Sequence, residues 1–162
     1  MGQHATRRFC QHDPRAFKLN RSPFGGEDNP ILLNPFILTQ SDENEQAVDA
    51  FYCDAYIDGQ PIYLIVDTGS TGSLISKKFL DWLGRNIDTP STVNMVDING
   101  GKKRLLGKVK NLPINIKGTI IPIDVDVSES PNFTILVGND WLTKTKGTID
   151  YNYHIIELHY KD

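Results

Sequence analysis

The chain has 162 residues, a formal net charge of −3 and 39% hydrophobic residues. This length and composition predict one packed domain of ordinary size, and the net charge gives no support for nucleic-acid binding through bulk positive charge. No apolar run approaches the ~18–20 residues that span a bilayer, and the amino terminus lacks the layout of a secretory signal. Cys10 and Cys53 are too few for a disulfide scaffold, so we expect a reducing, cytoplasmic compartment.

Residues 1–46 differ from the rest of the chain in composition and in hydrophobic periodicity. They mix basic residues with glycine and proline, end in a polar run over residues 39–46, and show no sustained period of 2 or 3.6. We therefore predict a flexible N-terminal flank over residues 1–46, with one short ordered piece around Ile31–Leu38.

Two short patterns lie inside this flank. The first residues fit the myristoylation pattern at Gly2, but this pattern is short and common, and we expect no membrane association. His4, Cys10 and His12 match no standard zinc module, so neither a metal nor a cofactor is expected.

From Ala47 onward, short runs of β-branched and aromatic residues alternate with turn signals, which predicts strands. Asp58-Gly59 and Asn99-Gly100-Gly101 indicate hairpin turns. Only Ser76–Leu83 and the stretch from Asn139 to about Lys144 indicate helix. Many short strands without βαβ alternation favour an all-β fold, a small closed barrel or sandwich, over residues 47–162. The predicted strands cover residues 51–57, 61–66, 93–98, 105–109, 112–116, 119–127, 133–137 and 153–160.

One carboxylate stands at the end of a strongly apolar strand. Asp67-Thr68-Gly69-Ser70 follows the run Ile62–Val66 and opens a polar loop. A carboxylate there is costly unless its neighbours donate hydrogen bonds to it. Thr68 can donate through its hydroxyl, and Gly69 lets the backbone approach a ligand closely. The simpler interpretation, a turn without chemistry, is the more common one for an isolated Asp-Thr-Gly.

The surrounding motifs favour chemistry. The hairpin tip Ile98–Gly101 follows the Asp-Thr-Gly, and Ile135–Leu142 reads Ile-Leu-Val-Gly-Asn-Asp-Trp-Leu. With these motifs and the closing Ile149–Tyr151 and Ile155–Leu158, the chain resembles the retropepsin family, the single-domain aspartic proteases of retroviruses and long-terminal-repeat retrotransposons. Val137 stands before Gly138 where Ile-Leu-Gly is more usual, which leaves the strand register open.

The resemblance implies a closed barrel of the retropepsin type with one short C-terminal helix, forming one protomer of a two-fold homodimer. It implies Asp67 as the catalytic residue, because two subunits would each supply one Asp to a pair that shares a proton and activates water. The implied substrate is an extended polypeptide, such as a polyprotein. By the same resemblance, the loop-supporting residues are Thr68, Gly69 and Ser70, and the substrate-binding residues are Gly69, Thr71, Ile98, Asn99, Gly100 and Gly101.

Two other charged features need an interpretation. Asp140 follows Gly138 at a predicted helix start, where a carboxylate stabilises free backbone N–H groups, so we interpret it as structural rather than as a partner of Asp67. The hairpin after Asn99 carries five cations beyond its tip, Lys102, Lys103, Arg104, Lys108 and Lys110. It is either a mobile lid or an ordinary solvated hairpin. No nucleic-acid role is expected, since no aromatic platform accompanies these charges.

Three alternatives to an active protease stay open. The first is a catalytically inactive retropepsin-like dimerisation or peptide-binding module. The second is the retropepsin-like domain of ubiquitin-receptor shuttle proteins, although no ubiquitin-like domain fits before residue 47 in this sequence. The third is an unrelated small β-barrel. Nothing at Asp67, Thr68 or Gly69 indicates decay, so the aspartic endopeptidase is the leading hypothesis.

Overall fold

A computed structural model describes residues 8–10, 51–97, 99–130 and 133–160 of the chain. Strands dominate these ranges and the helices are short, which confirms the predicted all-β class. The elements in chain order are β1 (Arg8–Cys10), β2 (Phe51–Ile57), β3 (Gln60–Val66), β4 (Leu74–Ser76), α1 (Lys77–Trp82), β5 (Thr89–Pro90), β6 (Asn94–Val96), β7 (Lys102–Arg104), β8 (Gly107–Ile116), β9 (Thr119–Ser128), β10 (Ile135–Val137), α2 (Asn139–Thr145), β11 (Thr148–Asp150) and β12 (Ile155–Leu158).

Six strands close into a barrel. Their order is β2-β3-β10-β4-β9-β8, and β8 returns to β2 through the pair Tyr56 and Asn115. β10 runs parallel to β3 and antiparallel to β4, which in turn is parallel to β9. Closure leaves none of these six strands as a long free edge. The predicted small closed barrel of the retropepsin type is therefore confirmed.

The first hairpin shows why the sequence forms this sheet. In β2, Cys53, Ala55 and Ile57 alternate onto one face and are completely buried in the barrel core. Asp58 and Gly59 both have positive φ, at 51° and 76°, as a two-residue hairpin turn requires. The turn fixes the register, and an alternating strand in the wrong register would expose its apolar face.

The second hairpin, β8–β9, contains a β-bulge that the sequence analysis does not predict. The sequence predicts two strands, over residues 105–109 and 112–116, whereas the structure has one strand with a bulge between Val109 and Leu112. At the bulge, the Lys110 N–H donates to Asp88 at 2.7 Å and the Asn111 N–H donates to Asp124 at 2.9 Å. These side-chain acceptors replace the ladder partners that the bulge removes.

Both predicted helical stretches are helices. Ser76 caps α1 by accepting a hydrogen bond from the Phe79 N–H at 3.1 Å, and α1 buries Phe79 and Leu80. α2 buries Trp141, which is 0% exposed. Among the described residues, no helix has the length and apolar character needed to cross a membrane.

A smaller sheet, in the order β1-β12-β11, lies beside the barrel. Its first strand, Arg8–Cys10, belongs to the segment that the sequence analysis assigns to a flexible flank, so at least this piece pairs with the domain. The predicted ordered piece Ile31–Leu38 and the patterns at Gly2, His4 and His12 lie outside the described residues. Cys53 is disulfide-bonded. The reducing, cytoplasmic compartment stays a prediction.

Candidate active site

The barrel places Asp67 beside the start of α2. β3 and β10 are parallel neighbours, with Val66 opposite Val137, so the residues that follow both strands leave the same end of the barrel. The Asp67 N–H donates to the Val137 carbonyl at 2.9 Å. The extra valine before Gly138 therefore extends the strand pairing by one residue, and the register left open by the sequence is settled.

The Asp67 carboxylate is oriented by the backbone of its own loop. The Gly69 N–H donates to Asp67 Oδ1 at 2.8 Å, and the Ser70 N–H donates to the Asp67 carbonyl at 3.2 Å. Thr68, whose hydroxyl is the donor that the sequence predicts, is exposed. Asp67 itself is half-buried, so its carboxylate stays accessible while one oxygen accepts a fixed backbone bond.

The N-terminus of α2 holds this loop from the other side. The Asn139 N–H donates to the Ser70 carbonyl at 2.8 Å, and the Asp140 N–H donates to the Thr71 carbonyl at 3.2 Å. The Asn139 side-chain amide donates to the Thr68 carbonyl at 3.0 Å. The first N–H groups of a helix have no partner within the helix, and here the loop carbonyls satisfy them. The loop and the helix therefore fix each other.

A buried serine joins the two segments further. Ser73 is 1% exposed, and its hydroxyl donates to Asp140 Oδ1 at 2.7 Å while it accepts the Gly138 N–H at 3.1 Å. Asp140 also accepts the Ser73 N–H at 3.2 Å and the Trp141 N–H at 2.7 Å. Asp140 thus has the structural role that the sequence indicates. Sequence reasoning missed Ser73, whose partners are 65 and 67 residues away.

Gly138 is required by this close approach. A Cβ atom at Gly138 would lie 2.5 Å from the carbonyl oxygens of both Ser70 and Gly72. These contacts are with backbone atoms, which cannot rotate away as a side chain can. Gly72 itself has open space, because a Cβ atom added there would meet nothing within 4 Å. We call the segments Asp67–Ser73 and Gly138–Asp140 together the loop–helix clamp.

A second acidic residue lies behind the loop–helix clamp. The Asp126 N–H donates to the Ser73 carbonyl at 3.0 Å, and Asp126 Oδ1 is buried with no hydrogen-bond partner among the described residues. Burial is the main cause that raises the pKa of the Asp126 carboxyl. Lys108 opposes this rise in pKa and the nearby Asp140 carboxylate adds to it.

The predicted lid is a separate two-stranded sheet, β6–β7, which we call the flap (residues 94–104). Its second strand is Lys102–Arg104, nearer the tip than the sequence indicates. Asp97 closes the tip by accepting the N–H groups of Asn99 at 2.9 Å and Gly101 at 2.8 Å. Gly100 has a φ of 80°, which favours glycine. Ile98 lies outside the described residues.

The opposite end of the barrel carries a concave surface. A shallow depression of about 440 Å³ is lined by Tyr56, Asp58, Gly59, Pro113, Asn115 and Ile120. Arg85 forms a two-point pair with Asp58, at 2.5 and 2.7 Å, and this pairing lowers the pKa of the Asp58 carboxyl. Across the described ranges, no group of three or more His, Cys, Asp or Glu side chains could hold a metal ion.

The order of motifs matches a known family. A family model described as retroviral aspartyl protease matches residues 36–162. The chain belongs to the retroviral aspartyl protease family. The matched region begins before Ala47, and the domain boundary at residue 47 stays a prediction.

Curated relatives of this retroviral-type protease domain include DNA damage-inducible proteins. The chain is 28% identical over 121 residues to Protein DNA-DAMAGE INDUCIBLE 1 of Arabidopsis thaliana. The aligned region covers 75% of this chain and 29% of the relative. It is 24% identical over 110 residues to DNA damage-inducible protein 1 of Yarrowia lipolytica, with 68% and 28% coverage. The chain therefore spans less than a third of the length of these two relatives.

Solved structures show the same fold. The retroviral protease-like domain of Ddi1 from Leishmania major aligns with a TM-score of 0.58 at 23% identity, over 68% of this chain and 89% of that one. A retropepsin-like aspartic protease from Rickettsia conorii aligns with a TM-score of 0.53 at 21% identity, over 69% and 83%. The EIAV protease complexed with the inhibitor HBY-793 gives 0.52 at 16% identity, over 68% and 99%.

The structure assembles the predicted site residues into two groups. One group is the loop within the loop–helix clamp, which contains Asp67, Thr68, Gly69, Ser70 and Thr71. Asn99, Gly100 and Gly101 form the flap tip. The catalytic and substrate-binding roles of both groups stay predictions.

Proposed function

We propose that this protein is an aspartic endopeptidase in which Asp67 supplies one of two catalytic carboxylates. The observation that carries the proposal is the Asp67 loop. A half-buried carboxylate at the end of a buried strand accepts the Gly69 N–H within the loop–helix clamp, in a chain of the retroviral aspartyl protease family. A residue that served only as a turn would not need such extensive support from a segment 71 residues away.

The chemistry needs two such carboxylates. Two carboxylates that face each other at close range share one proton, since both cannot ionise at low cost. The ionised group accepts a proton from a water molecule, and the protonated group donates a hydrogen bond to the peptide carbonyl that the water attacks. Because the two groups titrate as a pair, their protonation is a property of the assembled site.

A homodimer follows from the sequence and the site together. The chain contains one Asp-Thr-Gly. The Asp140 carboxylate already accepts hydrogen bonds from the Ser73 hydroxyl and the Trp141 N–H. A second copy of Asp67 is therefore the carboxylate available to complete the pair, across a two-fold axis with an isologous interface. Thr68 is exposed in the single protomer, on the loop that would face the second copy.

The proposed substrate is an extended polypeptide, such as a polyprotein. A peptide in strand conformation would lie between the paired loops and the flaps, with main-chain hydrogen bonds to Gly69, Thr71 and the flap tip. The proposed cleavage is between hydrophobic side chains, and the origin in a mobile element is part of the same proposal.

A cleavage assay of the full chain tests this function. Wild type and Asp67→Asn are incubated with an unfolded protein substrate from about pH 4 to 7, and their molecular masses are measured at the assay concentration. Cleavage by a dimeric wild type, absent in Asp67→Asn, supports the proposal. A folded dimer that never cleaves overturns it and favours the inactive peptide-binding module. Cleavage that survives Asp67→Asn overturns the assignment of Asp67.

A further inference from the structure

The flap carries a positive charge that no ion pair with the described residues neutralises. Lys102, Lys103 and Arg104 are consecutive and exposed in β7, and none of them forms an ion pair with the described residues. The carboxylate of the same hairpin, Asp97, lies at the tip. Its Oδ1 accepts the N–H groups of Asn99 and Gly101 there. The chain as a whole has a net charge of −3, so this concentration of cations is local.

The flap rises from the end of the barrel that carries Asp67. The Ser73 carbonyl, at the end of the active-site loop, accepts the Asp126 N–H, and the carbonyl of the next residue in β9, Val127, accepts the Leu106 N–H at 2.9 Å. Ser91 begins the segment that leads into β6, and the Leu105 N–H donates to the Val93 carbonyl at 3.2 Å to close the flap base. A short chain of contacts therefore connects the active-site loop to the base of the flap.

Cations occupy both faces of the flap. Side chains alternate along a strand, so Lys102 and Arg104 share one face while Lys103 lies on the other. Lys103 is paired across the sheet with Met95, the half-buried residue of β6. Whichever face is turned toward a bound polypeptide, at least one cation of each flap faces it.

We propose that the flap selects polypeptide substrates with acidic residues flanking the cleaved bond. This inference rests on the proposed function, in which a polypeptide lies beneath the flap. Complementary charge raises the local concentration of an acidic segment and fixes its register, although exposed charges add little affinity in each pair. The floor of the site carries the Asp67 carboxylate, which repels acidic side chains, so the acidic residues belong at positions under the flap and the cleaved bond stays between apolar residues.

The flap suits a peptide better than a nucleic acid. Residues 94–104 contain no aromatic side chain on which bases could stack, and the chain lacks a net positive charge. An extended peptide needs no such platform because it binds through main-chain hydrogen bonds, with side chains placed on alternate faces.

Peptide binding tests the proposal without relying on turnover. The full chain carrying Asp67→Asn is titrated with two fluorescent peptides that share an apolar centre and differ by Glu or Gln at the flanking positions. We expect the Glu peptide to bind about tenfold more tightly at about 50 mM salt, with the difference shrinking toward 500 mM. Replacing Lys102, Lys103 and Arg104 together by Gln should remove the preference and leave the affinity for the Gln peptide unchanged.

A matched variant removes the same charge elsewhere. Lys110, Lys117 and Lys146 are exposed outside the flap, and their joint replacement by Gln should keep the preference for the Glu peptide. Equal binding of the two peptides by the parent protein overturns the inference, as does an equal loss of preference in both triple variants. Tighter binding of a single-stranded oligonucleotide than of the Glu peptide also overturns it. None of these outcomes bears on catalysis, which the Asp67→Asn cleavage assay decides separately.

Discussion

Ser73 is the residue at which the two halves of the loop–helix clamp meet. Its hydroxyl donates to Asp140 and accepts from the Gly138 N–H in a position that is 1% exposed. Ser73→Ala leaves the buried Gly138 N–H without its acceptor and removes one of the two donors to Asp140 Oδ1, the other being the Trp141 N–H. We expect a loss of about 1–3 kcal/mol in the free energy of unfolding, measured by urea denaturation, together with a loss of cleavage activity.

Ser128 provides the control for this prediction. It is also buried, at 3% exposure, but within the described ranges its hydroxyl accepts a local bond, from the Ser130 N–H at 3.1 Å. Ser128→Ala should therefore cost less stability than Ser73→Ala. A double variant with Asp140→Asn should show coupling of about 0.5 kcal/mol or more with Ser73→Ala. Additive effects would contradict a shared network.

Asp126 gives a prediction about pH. Burial raises the pKa of its carboxyl above the ordinary value of 3.8, so the folded protein retains this proton at pH values where the unfolded chain has lost it. The stabilising contribution is complete below pH 3.8 and is lost as the pH rises through the folded pKa. Asp126→Asn removes this loss. Its free energy of unfolding should rise relative to wild type as the pH increases from about 4 to 7.

Asp58 supplies a control of opposite sign. Its hydrogen bonds with Arg85 lower the pKa of its carboxyl, so its contribution to stability is present above pH 3.8 and is lost as the pH falls through the folded pKa. Asp58→Asn should be less stable than wild type at neutral pH, with the deficit disappearing on acidification. Urea denaturation of both variants over the same pH series checks the two signs, and parallel curves for Asp126→Asn and wild type would refute the first.

At the scale of residues, local context decides what the sequence reveals. The position of Asp67 after a strand and the structural role of Asp140 can be predicted from the sequence, because a strand end and a helix start are local signals. Ser73 and Asp126 are not readable, because their importance comes from partners brought close by the barrel. The expected donation by the Thr68 hydroxyl gives way to the Gly69 N–H, since the loop turns its own backbone toward the carboxylate.

At the scale of elements, the packing of α2 against the active-site loop depends on the missing side chain of Gly138. Gly138→Ala places a methyl group 2.5 Å from two backbone carbonyl oxygens, so the loop and the helix must separate. We expect a loss of about 1–3 kcal/mol in the free energy of unfolding and a much larger proportional loss of activity. Gly72→Ala, in the same loop but with open space at its Cβ, is the matched control. Similar losses in both variants would argue against the close approach as the cause.

The sequence predicts the elements themselves unevenly. Ser76, which the sequence predicts to begin the first helix, is its N-cap. An N-cap can be predicted because the capping side chain bonds a backbone N–H only two or three residues further along the chain. The pattern divides β8 in two because Lys110 and Asn111 interrupt its apolar alternation, and only the acceptors Asp88 and Asp124 explain how the strand continues. Arg8–Cys10 gives no strand signal, because a three-residue edge strand depends on its partner β12 rather than on its own pattern.

At the scale of the molecule, one protomer presents an apolar surface at the Asp67 end of the barrel. Phe51, which is paired with Val66 just before Asp67, packs edge-on against Tyr151 with ring centroids 5.6 Å apart. Tyr151 and Tyr153 are 65% and 71% exposed. Exposed aromatic residues beside an incomplete site are the surface that a second protomer is expected to cover. The proposed homodimer would therefore bury these rings while it joins the two Asp67 loops.

Mixing active and inactive protomers tests whether two copies of Asp67 act together. If protomers exchange and each site needs both carboxylates, a ninefold excess of Asp67→Asn should trap wild-type protomers in mixed dimers and reduce cleavage to about a tenth. The substrate is kept in excess so that its binding to inactive dimers does not limit the rate, and an equal mass of serum albumin serves as the control. Unchanged cleavage would show that each protomer works alone. Cleavage by wild type alone should also fall faster than protein concentration on dilution, because the active species is the dimer.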